Sequence, residues 1–163
     1  MKSLLYWIYR LLFVCVPTYI NCKRAGLKYN SSWKVIGRPY IIKRKWYERR
    51  IAGHIGGKLT IGVNFSCNNI VDSNSIGLIQ PCVFNIAIDG SSIVIGNNVG
   101  ISGSTINAAS SIVIEDNVAI GSGCLITDTD SHPIEYAARI TDDNSKTKRL
   151  TCKVPCLSYP KIL

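Results

Sequence analysis

The chain has only two histidines, His54 and His132. The second closes a run that could carry acid–base chemistry, Thr127-Asp128-Thr129-Asp130-Ser131-His132-Pro133. An imidazole titrates near neutral pH, so a positioned histidine can take a proton from a hydroxyl and return it later. Pro133 fixes its own φ, lacks an amide donor and biases His132 toward extended backbone. The chain should therefore leave any regular structure here and present the imidazole at an edge. Asp128 and Asp130 either orient that ring, bind substrate hydroxyls, or hydrate a turn as corner residues. His54 lies in a glycine-rich stretch with Gly53, Gly56 and Gly57 and reads as a solvated loop residue. Of the seven cysteines, Cys152 and Cys156 lie four apart with no second ligand pair nearby, so no metal site is expected. Cys67, Cys82 and Cys124 suit packed positions inside repeats, with Cys124 in the place of Thr105 one repeat earlier. An odd count lacks the pairing framework of a small secreted domain, so reduced thiols and a cytoplasmic setting are expected.

What must position His132 is a repeat. Ser92-Ile93-Val94-Ile95-Gly96-Asn97-Asn98-Val99-Gly100-Ile101 matches Ser111-Ile112-Val113-Ile114-Glu115-Asp116-Asn117-Val118-Ala119-Ile120 at seven of ten positions, 19 residues on. A shorter beat of six runs inside it: Ile95 to Ile101, and Ile114 to Ile120, Ile126 and His132. A fainter copy lies at Lys58–Ser66, and Ile70, Ile76, Cys82 and Ile88 continue the beat with imperfect phase. Helical faces recur at 3.6 residues and strands alternate at two, so a step of six fits neither. It fits a chain wound around a triangular coil, one hexapeptide per side, with the aliphatic buried by its neighbours above and below. Asn97-Asn98 and Asp116-Asn117 then occupy corners, where short polar side chains tolerate left-handed backbone. The offset of 19 is three hexapeptides plus one extra residue.

Asn98-Val99-Gly100-Ile101-Ser102-Gly103 and Asp128-Thr129-Asp130-Ser131-His132-Pro133 resemble the hexapeptide-repeat acyltransferases, and among them the O-acetyltransferases of bacterial surface-polysaccharide biosynthesis. The resemblance covers about Cys22 to Arg139. It implies a mainly β chain: a left-handed parallel β-helix (a single-stranded hexapeptide solenoid) with an N-terminal hydrophobic helix, assembled as a homotrimer with active sites between subunits. It also implies transfer of an acetyl group from acetyl-CoA to a sugar hydroxyl of capsule, O-antigen or exopolysaccharide, with His132 as general base and a sugar or lipid-linked oligosaccharide as acceptor. Asp128, Asp130, Ser102, Ser104 and Asn107 are the supporting or acceptor-binding candidates. Some relatives carry an acceptor-anchoring asparagine near the position of Ser102 to Ser104, and this chain departs there. No coenzyme A contact is assigned. The alternatives are an N-acyltransferase on an amino-sugar nucleotide, an inactive truncated fragment, and a non-enzymatic scaffold tethered by Ser3–Ile20.

The division expected is a hydrophobic helix and basic entry segment over 1–57, the β-helix over 58–132, and an extruded loop with an irregular tail over 133–163. Relatives resume regular coils after the position of Arg139. Here Leu150–Leu163 shows no beat and includes Pro155 and Pro160, which reads as a truncated frame.

Charge divides the chain in the same way. Residues 1–58 hold 13 Lys and Arg against Glu48 alone, whereas residues 59–138 hold seven acids and no Lys or Arg. Ser3–Ile20 places Leu4, Leu5, Ile8, Leu11 and Leu12 at helical spacing, with Tyr6, Trp7 and Tyr9 among them. Arg10 and Pro17 count against a spanning helix. Three readings stay open: a helix on a membrane surface at the inner face of the cytoplasmic membrane, a spanning or re-entrant one, or one packed on the coil or a neighbouring subunit. The cations that follow, Lys23, Arg24, Lys28, Lys43, Arg44, Lys45, Arg49 and Arg50, suit anionic headgroups. They interleave with Trp33, Tyr40, Trp46 and Tyr47, yet no binding motif accompanies them, so nucleic acid is not expected as a partner.

Overall fold

The computed structural model describes residues 2–24, 27–43, 56–73, 75–141, 143, 145 and 147–155. His54, Trp46, Tyr47, Arg44, Lys45, Arg49, Arg50, Cys156 and the tail beyond it lie outside the described residues.

Three short strands make each coil. The first coil has β1 (Lys34–Ile36), β2 (Tyr40–Ile42) and β3 (Lys58–Ile61). The second has β4 (Ser66–Asn68), β5 (Val83–Asn85) and β6 (Ser92–Ile95), and the third β7 (Gly100–Ser102), β8 (Thr105–Asn107) and β9 (Ser111–Ile114). The fourth has β10 (Ala119–Ile120), β11 (Leu125–Thr127) and, after an intervening helix α3 (Tyr136–Ile140), β12 (Thr151–Val154). Equivalent strands stack in parallel into three sheets, β1-β4-β7-β10, β2-β5-β8-β11 and β3-β6-β9-β12. With the N-terminal apolar helix, this fits a parallel β-helix, a solenoid in which each coil rests on the next.

The register places like on like. One sheet sends Val35, Cys67, Ile101 and Ile120 inward in a column, and the second sends Ile41, Phe84, Ile106 and Ile126. The third contributes two columns, Leu59-Ile93-Ile112-Cys152 and Ile61-Ile95-Ile114-Val154. Most of these residues form one continuous buried core. The beat of six therefore steps from one inward column to the next, from Ile95 and Ile114 in the third sheet to Ile101 and Ile120 in the first, all buried. Asn98 and Asn117 turn their corner at φ 56° and 62°, joined by Asn64 at 55°. Their amides form a ladder: Asn64 Nδ2 donates to Asn98 Oδ1, and Asn98 Nδ2 to Asn117 Oδ1, each at 3.0 Å. Left-handed backbone costs an ordinary L-residue about 1–2 kcal/mol. Asn98→Val should lower unfolding free energy by about that much, and Asn98→Gly by less; denaturant titration checks both.

Upstream, the beat misleads. Ile70, Ile76 and Ile88 are exposed while Cys82 is fully buried. The cause is an excursion: residues 69–82 separate β4 from β5, where only Gly103 and Ser104 separate β7 from β8. Asn69, itself buried, closes the base of this loop, donating to Ile36 O (2.9 Å) and accepting from Cys82 N–H (2.9 Å). Gly103, at φ 48°, lies under the loop, where a Cβ would stand 2.9 Å from Gln80 O. A smaller slip follows one coil later. Leu125, not Cys124, pairs with Thr105, because that corner holds the extra residue, and Cys124 is exposed rather than packed.

The tail expected to be irregular also differs. Thr151–Val154 alternates outward and inward as strand β12, placing Cys152 against Ile112 and Val154 against Ile114. A single strand with Cys and Val in place of Ile has no repeat from which a beat could be read.

At the other end, Pro17 does not end the helix. It has no N–H for the carbonyl of Phe13, and its ring crowds that carbonyl. Between α1 (Lys2–Arg10) and α2 (Val16–Arg24) the chain makes a π turn, Leu11–Cys15, in which Val16 N–H reaches back to Leu11 O. The π turn touches β1 and α2 touches β2, with Val14, Thr18 and Cys22 buried.

Candidate functional site

Beyond β11 the chain leaves the second sheet through Asp128, whose side chain turns back toward the preceding coil. One carboxylate oxygen accepts the N–H of Ala109 at 2.6 Å and the other that of Ser110 at 2.8 Å. These are the corner amides between β8 and β9, which have no ladder partner there. Asp128 is only 3% exposed, and its backbone carbonyl accepts from Leu150 N–H at 2.8 Å. It braces two coils, and both oxygens are already occupied. A buried amide such as that of Ala109, left unpaired, costs about 1–3 kcal/mol. Asp128→Ala should therefore destabilise the chain by at least about 1–3 kcal/mol in denaturant unfolding.

Ser131 takes the left-handed conformation, φ 63°, and reverses the chain. Pro133 is fully buried, while His132 between them is exposed. Among the described residues no hydrogen bond restrains the imidazole. The seated proline and the turned serine hold the backbone, leaving the ring open to a ligand.

An open groove of about 410 Å³ is lined in part by the residues that precede Ser131 in the chain. Thr127, Asp128, Thr129 and Asp130 form one wall, and Lys148, Leu150, Thr151, Cys152 and Lys153 the other. The walls are tied by an antiparallel bridge between Thr129 and Arg149. Lys153 also pairs with Glu115 at 2.6 Å, an exposed pair of small energetic weight. His132 is two residues beyond Asp130 and does not line the groove itself. Lys148 and Lys153 escaped the sequence reading because the segment carrying them has no repeat.

The remaining candidates separate. Asn107 faces outward on the second sheet, accepting from Asn85 Nδ2 (2.8 Å) and donating to Thr127 Oγ1 (3.1 Å), which links it to the wall. Ser102 lies on the first sheet, in a shallow groove of about 450 Å³ that also includes Gly100, Ala119 and Gly121. Ser104 is fully buried in the corner between those sheets, its Oγ 2.5 Å from Gly121 O and accepting from Cys124 N–H at 3.2 Å. Within one chain, then, Asn107, Asp128, Asp130 and His132 belong to one end of the second sheet, while Ser102 and Ser104 do not.

The buried thiols offer no nucleophile. The contact with Cys82, followed by burial, pushes the Cys67 thiol well up. Cys82 is lowered by the bond from Cys67 but is fully buried. Burial alone raises Cys22 to about 11. A thiol that is protonated or inaccessible does not attack. No group of three or more His, Cys, Asp or Glu that could hold a metal occurs among the described residues. Comparison with protein-family models, curated proteins and solved structures finds no match to this chain.

Proposed function

We propose that this chain is a hexapeptide-repeat acyltransferase with a left-handed coil, moving an acetyl group from acetyl-CoA to a hydroxyl of a surface-polysaccharide sugar. One observation carries the reading. A parallel β-helix with buried isoleucines six apart breaks off, between the second and third strands of its fourth coil, at an exposed imidazole, His132, followed by a buried proline.

In this reading His132 accepts the proton of a sugar hydroxyl as its oxygen attacks the thioester carbonyl. The tetrahedral oxyanion is stabilised by a backbone N–H at a tight turn. Its collapse expels the coenzyme A thiolate, which takes the proton from the imidazolium, leaving an acetyl ester and a free thiol. Asp130, Lys148 and Lys153, on the adjoining groove, are the groups available to bind sugar hydroxyls or donor phosphates. The active assembly is a homotrimer, so that an exposed histidine becomes enclosed between neighbours.

The test is thiol release from acetyl-CoA across a panel of sugar acceptors, with mass spectrometry of the product. Acceptor-dependent release with an ester product supports the reading. An amide product moves it to an amino-sugar acceptor, and no acceptor-dependent release from a folded trimer removes it.

A further inference from the structure

The N-terminal helix carries an inference that does not depend on the chemistry at His132. Arg10, Val14, Thr18 and Cys22 recur every four residues and form one stripe. Val14, Thr18 and Cys22 are buried against the first coil and Arg10 is half-buried. Much of the remaining surface of the first half is apolar and bare: Leu4, Leu5, Trp7, Leu11 and Phe13 are all more than half exposed. Residues 2–43 hold eight Lys and Arg and no acid. Lys23 and Arg24 at the end of α2, and Lys28, Lys34 and Arg38 around the first coil, are exposed.

We propose that this helix is an in-plane anchor, lying at the boundary between headgroups and acyl chains of an anionic bilayer with the Val14-Thr18-Cys22 stripe still docked on the coil. The helix Ser3–Arg24 is long and apolar enough to cross a membrane. Crossing would strip that stripe from the coil, pull Cys22 out of the core it shares with Trp33, and carry Arg10 into the middle of the hydrocarbon. Lying in the plane leaves the docking intact and keeps Tyr6, Trp7 and Tyr9 at the depth aromatic side chains favour. The surrounding cations then face anionic headgroups. A second copy of the chain is a poorer occupant, because its equivalent segment brings the same exposed cations, Lys23, Arg24, Lys28, Lys34 and Arg38.

The experiment uses the full chain and vesicles of phosphatidylcholine, alone or with about a third phosphatidylglycerol. Flotation should be roughly tenfold or more stronger with the anionic vesicles. Leu11→Glu should lose flotation while keeping the thermal melt, since Leu11 touches solvent rather than core. Trp7 reports depth: the part of the fluorescence quenching that disappears in Trp7→Phe should be larger for lipids brominated near the headgroup than near the chain end. Deep quenching means a spanning helix and overturns the proposal. Flotation indifferent to lipid charge, retained by Leu11→Glu, or absent while the chain self-associates through residues 3–13 overturns it equally. None of these readouts involves acetyl transfer, so the proposal and the enzymatic reading fail separately.

Discussion

Replacing His132 by alanine should slow acceptor-dependent release of coenzyme A by about 10²–10⁴-fold, the usual contribution of a positioned general base. The melting curve should stay where it is. His132 is exposed and has no hydrogen bond among the described residues, and surface changes of that kind fall within about 0.5 kcal/mol. Pro133 and Ser131, which set the local backbone, are untouched. His132→Gln sharpens the test: it retains polar reach but cannot accept and return a proton, so it should be as slow as alanine. Asp128→Ala should give the opposite signature, with a lower unfolding midpoint and any loss of rate following the unfolded fraction, because its carboxylate serves Ala109 and Ser110 rather than the imidazole. Equal thiol release by the wild type and His132→Ala in the presence of acceptor would remove the histidine from the mechanism.

The contrast between His132 and Asp128 marks what the sequence could and could not disclose. His132 stood out because a six-residue beat of isoleucine along the chain, Ile114, Ile120 and Ile126, ended in an ionisable side chain followed by a proline. The core columns were legible for the same reason: Ile95, Ile101, Ile114 and Ile120 repeat, and repetition is what a solenoid demands of its interior. So were the corners, since Asn98 and Asn117 are residue types that accept positive φ. The part played by Asp128 was not legible. An aspartate that hydrates a turn and one that satisfies two amides of the preceding coil look alike until the register between coils is known. The excursion over residues 69–82 was hidden by coincidence, because Ile70 and Ile76 keep a spacing of six with the buried Cys82 although both lie outside the coil. Strand β12 was hidden by the absence of any partner repeat, its pairing with β9 being a long-range fact. The helix showed its apolar surface, but not that one stripe of it, through Val14, Thr18 and Cys22, is already taken.

That coincidence of spacing yields a second large effect. Ile106→Ala should destabilise the chain by about 2–5 kcal/mol, and Ile76→Ala by no more than about 0.5 kcal/mol. Ile106 is fully buried, stacked between Phe84 in the coil before and Ile126 in the coil after. Truncating it opens a cavity bounded by two coils. A solenoid stands on its nearest-neighbour interfaces, so the loss weakens the contact on both sides at once. Ile76 meets the same six-residue arithmetic from Ile70 and Cys82, yet it is 78% exposed at the rim of the excursion. Removing its side chain takes away little buried surface and leaves no void. Denaturant unfolding of the two variants beside the wild type measures the difference directly. Comparable losses would place both isoleucines in the core and the excursion inside the coil, and the six-residue beat that leads to His132 would lose its meaning. A loss confined to Ile106→Ala ties stability to the register that also sets where the imidazole leaves the stack.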